Sequence, residues 1–520
     1  PPYNTGNDFV YNDNFAMSSK ESDIAEGARD EEGNPLQRNQ QSSNRFHANW
    51  LNMMYPRLKV AKDLLTDDGV IFISIDDNEV ENLKKMCNEA FGEGNFIACV
   101  VWERAFSPVN LKKHFSESHD YIICYAKNID DLICNGLPRS EEANDRYSNP
   151  DNDPRGNWAS ADLSVGPAVQ SNIYEITTPS GRKVLPPSGY SWRLNKERYS
   201  EFLSDNRIWF ADDGNGVPRI KRFLSEVKQG ITPMTIWKYS DVGHSQKASQ
   251  DLKKLFNNNA YFTYPKPIEL IKRMLELYTE SESLIMDFFS GSSTTAHAVM
   301  QLNAEDGGNR KFILVQLPEE TEESSEAFKA GYPNICEIGK ERIRRAGEKI
   351  KEEIETANAQ LKIGEEPRQV PDIGFKVFRT ADTNIKWNLY NTLGQLDTSA
   401  MTHTPDLADF TLGFKDINVV YEVMLRQKDV PLSSTLETLT DIGSRTYLYG
   451  SAYLVCLETE ITEELIDKLA ALDPLPIKFV FRDSAFKDDI NLKDETFRRL
   501  KNLIERNSGL EKKSYTVEFI

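Results

Sequence analysis

At 520 residues, with 39% hydrophobic and 10% aromatic side chains, the chain is too long for one core and has the makeup of a globular protein of about two to four domains. A formal net charge of −19 excludes simple bulk attraction to nucleic acid, and no apolar run approaches the roughly 18 residues that span a bilayer. The six scattered cysteines form no CxxC pair, so reduced thiols in a cytoplasmic chain are expected rather than a disulfide scaffold, and no metal site.

The first six residues, Pro1-Pro2-Tyr3-Asn4-Thr5-Gly6, combine two prolines that set the direction of their carbonyls with a flat aromatic face. Such a segment suits a planar base carrying an exocyclic amine; a proline-rich turn over a buried Tyr is the plainer alternative. No charged-then-apolar leader is seen, so no export signal is expected. Residues 16–45 are polar and read as a loop or partly ordered excursion.

A helix follows with Trp50, Met54, Leu58, Ala61 and Leu65 on one face, ending at Asp68-Gly69. VIFISI (Val70–Ile75) has the pattern of a buried strand, and Asn78 is expected to cap a second helix reaching about Phe91. Strands over Phe96–Trp102 and Asp120–Ala126 have no helix between them, which predicts an antiparallel pair at the sheet edge. Residues 1–130 thus form one half of an α/β sheet domain.

From 131 to 260 the texture changes to Pro, Gly, Asn, Trp and Tyr, a separate module of short strands and loops. Between Arg182 and Arg273, Lys and Arg number 17 against 9 Asp and Glu. A basic middle in an acidic chain fits a nucleic-acid surface confined to one module, although a charge run is more often a solvated face. Arg219, Lys221, Arg222 and Trp237 mix cations with an aromatic, as DNA-contacting surfaces do.

Over 261–385 regular α/β character returns. A helix is expected at Pro267–Tyr278, a strand at Leu284–Phe289, a helix at Ser293–Leu302 and a strand at Lys311–Leu317. A long charged helix runs from about Ile335 to Thr356, and Gly374–Arg379 has the alternation of one more strand. The run Asp287-Phe288-Phe289-Ser290-Gly291-Ser292-Ser293-Thr294-Thr295 passes from strand to helix through a Gly turn, where helix N-terminal amides and hydroxyls can receive a carboxylate. Glu319, just past the next strand, sits where ribose hydroxyls usually find a carboxylate, or else it is a surface helix cap. His114 and His119 read as surface residues, His297 as packing, and Arg342, Arg344 and Arg345 as a solvated helix face. Residues 386–520 read as a small α/β domain, with strands at Tyr453–Leu457 and Ile477–Phe481 and a helix at Ile461–Leu472.

Taken in order, these motifs resemble those of DNA amino-methyltransferases. PPYNTG is similar to the end of their DPPYNTG motif, YPKP (Tyr264–Pro267) to the segment before their cofactor strand, and DFFSGSSTT to their DPFxGSGTT loop. With the catalytic motif first, the order is the permuted one of the β-class. VKQGITPMTIWKYSDVGHSQKASQDLKKLF, EIGKERIRRAGEKI and FRDSAFKDDINLKDETFRRLK resemble Mod subunits of type III restriction-modification systems.

The resemblance implies a doubly wound, Rossmann-like core that binds S-adenosylmethionine, interrupted by a target-recognition module. The C-terminal domain would serve dimerisation or docking of a helicase-nuclease restriction subunit. Tyr3 would stack on a flipped-out base of double-stranded DNA, with Pro1 and Pro2 as the other catalytic-motif residues and the Pro1 carbonyl accepting the amino proton. Asp287, Phe289, Gly291 and Thr294 would line the cofactor site, Lys266 and Pro267 would support it, and Glu319 would hold the ribose. The sequence departs from the motifs at Ser293, in place of the second loop Gly, and at its start, which lacks the Asp of DPPY; as given, the chain is expected to be an inactive fragment. PPYNTG goes with adenine N6, and cytosine N4 is the alternative base. A solitary methyltransferase, or a non-catalytic DNA-binding or assembly subunit of the same fold, are the alternative functions.

Overall fold

The computed structural model describes residues 1–5, 45–108, 113–138, 144–211, 213–226, 230–362, 364–386, 406, 409–427, 429–487, 489–508 and 514–520. Gly6 and the polar excursion, apart from Arg45, lie outside the described residues. The chain forms two compact units, Pro1–Gly374 and Phe375–Ile520.

The first unit opens with helix α1 (Phe46–Leu64), strand β1 (Val70–Ile75), helix α2 (Val80–Phe91) and strands β2 (Phe96–Glu103) and β3 (His119–Ala126). Alternation along the strands sorts their side chains between two cores. Ile71, Ile73, Ile75, Ile123 and Tyr125 pack with Trp50, Met54 and Leu58 of α1 and Leu83 and Phe91 of α2, whereas Val100, Trp102, Ile122 and Cys124 face the opposite way. The sheet is therefore covered on both faces. Glu79 rather than Asn78 occupies the N-cap position of α2, without a side-chain cap bond, and the Asn78 side chain and amide are turned back to Asp76.

The strand order corrects one expectation. β2 and β3 are antiparallel, but β3 is internal, paired with β1 on one side and β2 on the other. β2 in turn carries a short parallel neighbour.

The middle module contributes β4 (Trp158–Asp162), β5 (Ile208–Trp209) and β6 (Arg219–Phe223), an antiparallel sheet with β6 at its centre. Leu163, Ile176, Trp192, Tyr199 and Phe210 form a core of its own. The chain then returns through β7 (Ile236–Trp237), the parallel neighbour of β2, and α3 (Ser245–Leu255).

Helix α4 (Ile268–Tyr278) covers the second face of the main sheet through Leu270, Met274 and Leu277. Strand β8 (Leu284–Asp287), helix α5 (Thr294–Asp306), strand β9 (Lys311–Leu314) and helix α6 (Ile335–Asn358) follow. β8 and β9 pair in parallel, and α4 and α5 pack over them through Leu275, Val299 and Leu302. Among the described residues β8–β9 is not hydrogen-bonded to the four-stranded sheet. Between the start of β3 and the end of β8 lies the Pro1–Asn4 segment, whose two prolines have no ring-nitrogen hydrogen that could extend a ladder from within a chain.

The second unit is a five-stranded mixed sheet. Its elements are α7 (Asp416–Arg426), β10 (Leu436–Thr438), β11 (Thr446–Tyr449), β12 (Tyr453–Cys456), α8 (Glu463–Ala470), β13 (Lys478–Phe481), α9 (Ile490–Ser508) and β14 (Thr516–Phe519). α8 and α9 pack on one face and α7 on the other. Gly374–Arg379 forms no strand, and Val377 and Phe378 are exposed. Among the described residues no helix is long and apolar enough to cross a membrane.

Candidate active site

The two prolines at the chain start present different carbonyls. The Trp50 indole donates to the Pro2 oxygen at 2.8 Å, while the Pro1 oxygen accepts no hydrogen bond among the described residues. Asn4 takes a left-handed φ of 49°, a conformation Asn tolerates better than most residues. Its amide is tied to buried Glu79 at 2.5 Å. The same carboxylate meets His47 Nδ1 at 2.6 Å and Asn82 Nδ2 at 2.7 Å, so α1 and α2 together anchor the segment.

Tyr3 packs against the first core beside Phe288 and Phe289. Its hydroxyl is 2.5 Å from Lys266 Nζ and 3.3 Å from Asp120 Oδ2. Lys266 reaches Asp120 Oδ2 at 3.2 Å, Arg104 Nε lies 2.7 Å from the other Asp120 oxygen, and the ammonium sits 4.6 Å from the Tyr3 ring centre and 4.8 Å from that of Trp102. Burial raises the Tyr3 pKa above its ordinary value, with Lys266 opposing and Asp120 adding. At Lys266 burial opposes the charge, yet Tyr3 and Asp120 outweigh it and the pKa is raised. Near neutral pH Tyr3 is therefore a neutral phenol and Lys266 an ammonium, and both face Asp120. Pro267 can approach because Gly243, with φ of 74°, has no Cβ; one would lie 2.9 Å from the Pro267 ring.

The strand-to-helix loop is held from several sides. Asp287 accepts from Phe289 N at 3.1 Å and Thr295 Oγ1 at 2.6 Å. Gln316, past the end of β9, accepts from Gly291 N at 2.7 Å. Gly291 has φ of 51° and faces Phe262, whose ring tip a Cβ would meet at 3.4 Å. Ser293 adopts φ of 61°, where Gly is unstrained and other residues are not. Its hydroxyl tucks against Gly339 of α6, where a Cβ would come within 2.5 Å. Thr294 Oγ1 lies 3.4 Å from the Lys266 carbonyl. Pro1 lies within electrostatic reach of both Asp287 and Lys266. The first motif, Lys266 and the loop thus meet at one place.

A family model described as DNA methylase matches residues 1–344. The chain belongs to this family. It is 36% identical over 73% of its length to the StyLTI Mod subunit of a type III restriction-modification enzyme from Salmonella typhimurium, covering 56% of that protein. The EcoPI Mod subunit of Escherichia phage P1 is 32% identical over 74% of the chain and 61% of its own length. The type II methyltransferase M.KpnI of Klebsiella pneumoniae is 30% identical over 65% of the chain and 78% of its own length. The chain therefore spans less than two thirds of these Mod subunits.

Within this DNA methylase chain, the structure gathers Pro1, Tyr3, Lys266, Asp287, Phe289, Gly291 and Thr294, and sets Pro267 directly behind them. Glu319 is exposed beyond the strand end, three residues past Gln316, with its carbonyl accepting from Ile335 N. Two expected DNA contacts need correcting. Lys221 is buried, paired with Asp151 and Asp153 and set near the rings of Trp158 and Trp209; its charge is already neutralised inside the module. Trp237 is core, its indole donating to Met234 O at 2.9 Å. Arg219 faces Asp162, and Arg222 is exposed. Arg342 is buried rather than solvated, whereas Arg344 is exposed and Arg345 lies against Glu341 and the Phe256 ring. His297 is buried.

Sequence reasoning missed Glu79, Arg104, Asp120 and Gln316. Asp120 opens the buried strand run DYIICYA, and a charged residue at that position was a usable signal. For Gln316 the local pattern held none.

Proposed function

We propose that the chain carries the cofactor and base sites of an S-adenosylmethionine-dependent DNA methyltransferase acting on adenine N6, as the modification subunit of a type III system. One observation carries this reading: the Pro1–Tyr3 segment and the Asp287–Thr295 loop meet at Lys266, which holds Tyr3 together with Asp120. The loop fits the cofactor. Its Gly turn leaves the backbone open, the N-terminus of α5 offers amides to a carboxylate, and Thr294, Phe289 and Gly291 line it, with Lys266 and Pro267 behind. The cofactor supplies an electrophilic methyl group on sulfonium sulfur.

The chain's own residues do the rest. A base must leave the duplex to expose its amino group, and the Tyr3 ring gives it a stacking surface. That ring is fixed at its hydroxyl by Lys266 and Asp120, so it does not have to be ordered during the reaction. The Pro1 carbonyl, which accepts no hydrogen bond among the described residues, is the acceptor that turns an amino proton aside and points the nitrogen lone pair at the methyl group. The Pro2 carbonyl is committed to Trp50 and holds the segment.

In the same reading residues 131–260 form the target-recognition module, with Arg222 and Arg219 its candidate phosphate contacts, and residues 386–520 serve dimerisation or docking of a restriction subunit. Double-stranded DNA is the substrate. The 78% coverage of M.KpnI favours a second reading, a solitary methyltransferase.

Modification-sensitive sequencing of DNA from cells expressing the whole gene tests both. N6-methyladenine on one strand of a short non-palindromic site supports the type III reading, and methylation of both strands of a palindrome supports the solitary one. N4-methylcytosine overturns the base assignment, and no modification overturns the enzymatic reading.

A further inference from the structure

Helix α6 carries a stripe of Ile338, Arg342, Ala346 and Ile350 at four-residue spacing, all buried. Three belong there by polarity and Arg342 does not. Its side chain ends at the cofactor loop, where Nη1 donates to Ser292 Oγ at 2.7 Å and Thr294 Oγ1 at 2.7 Å, and lies 3.5 Å from Ser292 O. Nε is buried with no partner.

No carboxylate among the described residues pairs with this guanidinium. Asp287, the acid of the loop, gives its oxygens to Phe289 N and Thr295 Oγ1 instead. Burial draws Arg342 down to about 9, which leaves it a cation at neutral pH. His297 responds to that charge. Burial first, then Arg342 and Lys349, push it down to about 3, so it stays neutral and offers no anion.

A buried cation without a counter-charge is costly, and such groups are normally paired. Here the surroundings add to the imbalance. Ser292 and Thr294 flank Ser293 at the N-cap of α5, a 13-residue helix, whose first amides have no intrahelical partner and whose dipole is positive at that end. A hydroxyl that accepts from a guanidinium turns its own hydrogen away from it: Thr294 gives its hydrogen to the Lys266 carbonyl at 3.4 Å, and Ser292, with no acceptor among the described residues, keeps its own for whatever lies across the loop. The guanidinium, two hydroxyls and helix N-terminus together call for one anion.

We propose that Arg342 is a positioning residue for the anionic end of the cofactor, orienting and polarising the Ser292 and Thr294 hydroxyls so that the first turn of α5 receives the α-carboxylate of S-adenosylmethionine. This rests on the reading of the loop as the S-adenosylmethionine site. The carboxylate supplies the negative charge that Arg342 lacks. Arg342 acts through the hydroxyls and from behind the loop.

The test is calorimetric binding of S-adenosylmethionine and decarboxylated S-adenosylmethionine, which differ only in that carboxylate, to the full chain. Wild type, Arg342→Met and Arg342→Lys are compared, with thermal melting as a check on folding. Wild type is expected to prefer the carboxylated form by about tenfold or more, the scale of one charge-assisted hydrogen bond. Arg342→Met is expected to narrow that preference to about twofold while binding the decarboxylated form nearly as well as wild type, and Arg342→Lys to restore part of it. Equal weakening toward both compounds, or no preference in wild type, overturns the proposal. If Arg342→Met does not fold, Ser292→Ala, which keeps the cation and removes the hydroxyl whose hydrogen is uncommitted, decides in its place: the same narrowing supports the proposal, and an unchanged preference overturns it. Wild type binding neither compound defeats the cofactor reading itself, and this proposal with it.

Discussion

Lys266 and Lys221 are both lysines set among aromatic rings and carboxylates, yet they do different things. Lys221, in the middle module, has a fully covered side chain and two carboxylates, Asp151 and Asp153. Asp153 is held well below the usual carboxylate range, chiefly by the hydrogen bond from Arg155, with Lys221 adding to it. Nothing is left over there for a ligand. Lys266 keeps 27% of its side chain accessible, shares one carboxylate with Arg104, and spends a donor on the Tyr3 phenol. A closed, neutralised cation builds a core, and a partly open one holding an aromatic platform builds a site.

Lys221→Met gives the largest expected effect. It leaves Asp151 without its cation and Asp153 with Arg155 alone, and breaking such a buried pair costs about 3–5 kcal/mol. The full chain should lose thermal stability and DNA affinity while the cofactor affinity of whatever remains folded is unchanged; intact DNA binding with an unchanged melting temperature would break the comparison.

Lys266→Met should do the reverse. Melting temperature and DNA affinity stay close to wild type, and methyl transfer falls by about 100-fold, the scale of a displaced reacting group. Asp120→Asn, which loosens Lys266 and Tyr3 together, should fall in the same direction by less. A transfer rate equal to wild type in both variants would place the cluster outside the chemistry.

Two smaller effects sharpen the account of the cofactor loop. His297 is pushed down to about 3, first by burial and then by Arg342 and Lys349, against an unfolded value of about 6.5. The native state therefore binds fewer protons than the unfolded one between these values. Stability is fully present above about pH 6.5 and drains away as pH falls toward 3, by up to about 1.4 kcal/mol per unit. Denaturant midpoints of wild type and His297→Gln should converge in slope only above pH 6.5, with the variant flatter below. Ser293→Gly removes the strain of φ 61° and should raise stability by about 1 kcal/mol, read as a melting temperature a few degrees higher.

The sequence made the α/β alternation legible because it is local. VIFISI, the strand into DFFSGSSTT and the long charged helix all fall within a residue or two of their expected places. What it did not expose depends on partners far along the chain. Lys221 meets Asp151 and Asp153 some 70 positions away, and Lys266 meets Asp120 at a separation of 146, so composition near each residue says nothing about its neutralisation. Two signals were nevertheless present. In RIKRF, alternation puts Lys221 on the side of Phe223 and away from Arg222, and in α6 the four-residue step from Ile338 through Arg342 to Ala346 and Ile350 marks the buried stripe. Gly374–Arg379 had the alternation of a strand, yet Val377 and Phe378 are exposed, a fact that only the tertiary structure carries.

The most direct test of the central claim is transfer of labelled methyl from S-adenosylmethionine to duplex DNA, using protein expressed from the whole gene beside its Tyr3→Ala variant. The account predicts label on adenine N6 for wild type, and a loss of about 100-fold or more for Tyr3→Ala with cofactor affinity unchanged. Transfer by Tyr3→Ala at the wild-type rate, or a wild type that binds cofactor and DNA yet labels no base, would contradict it.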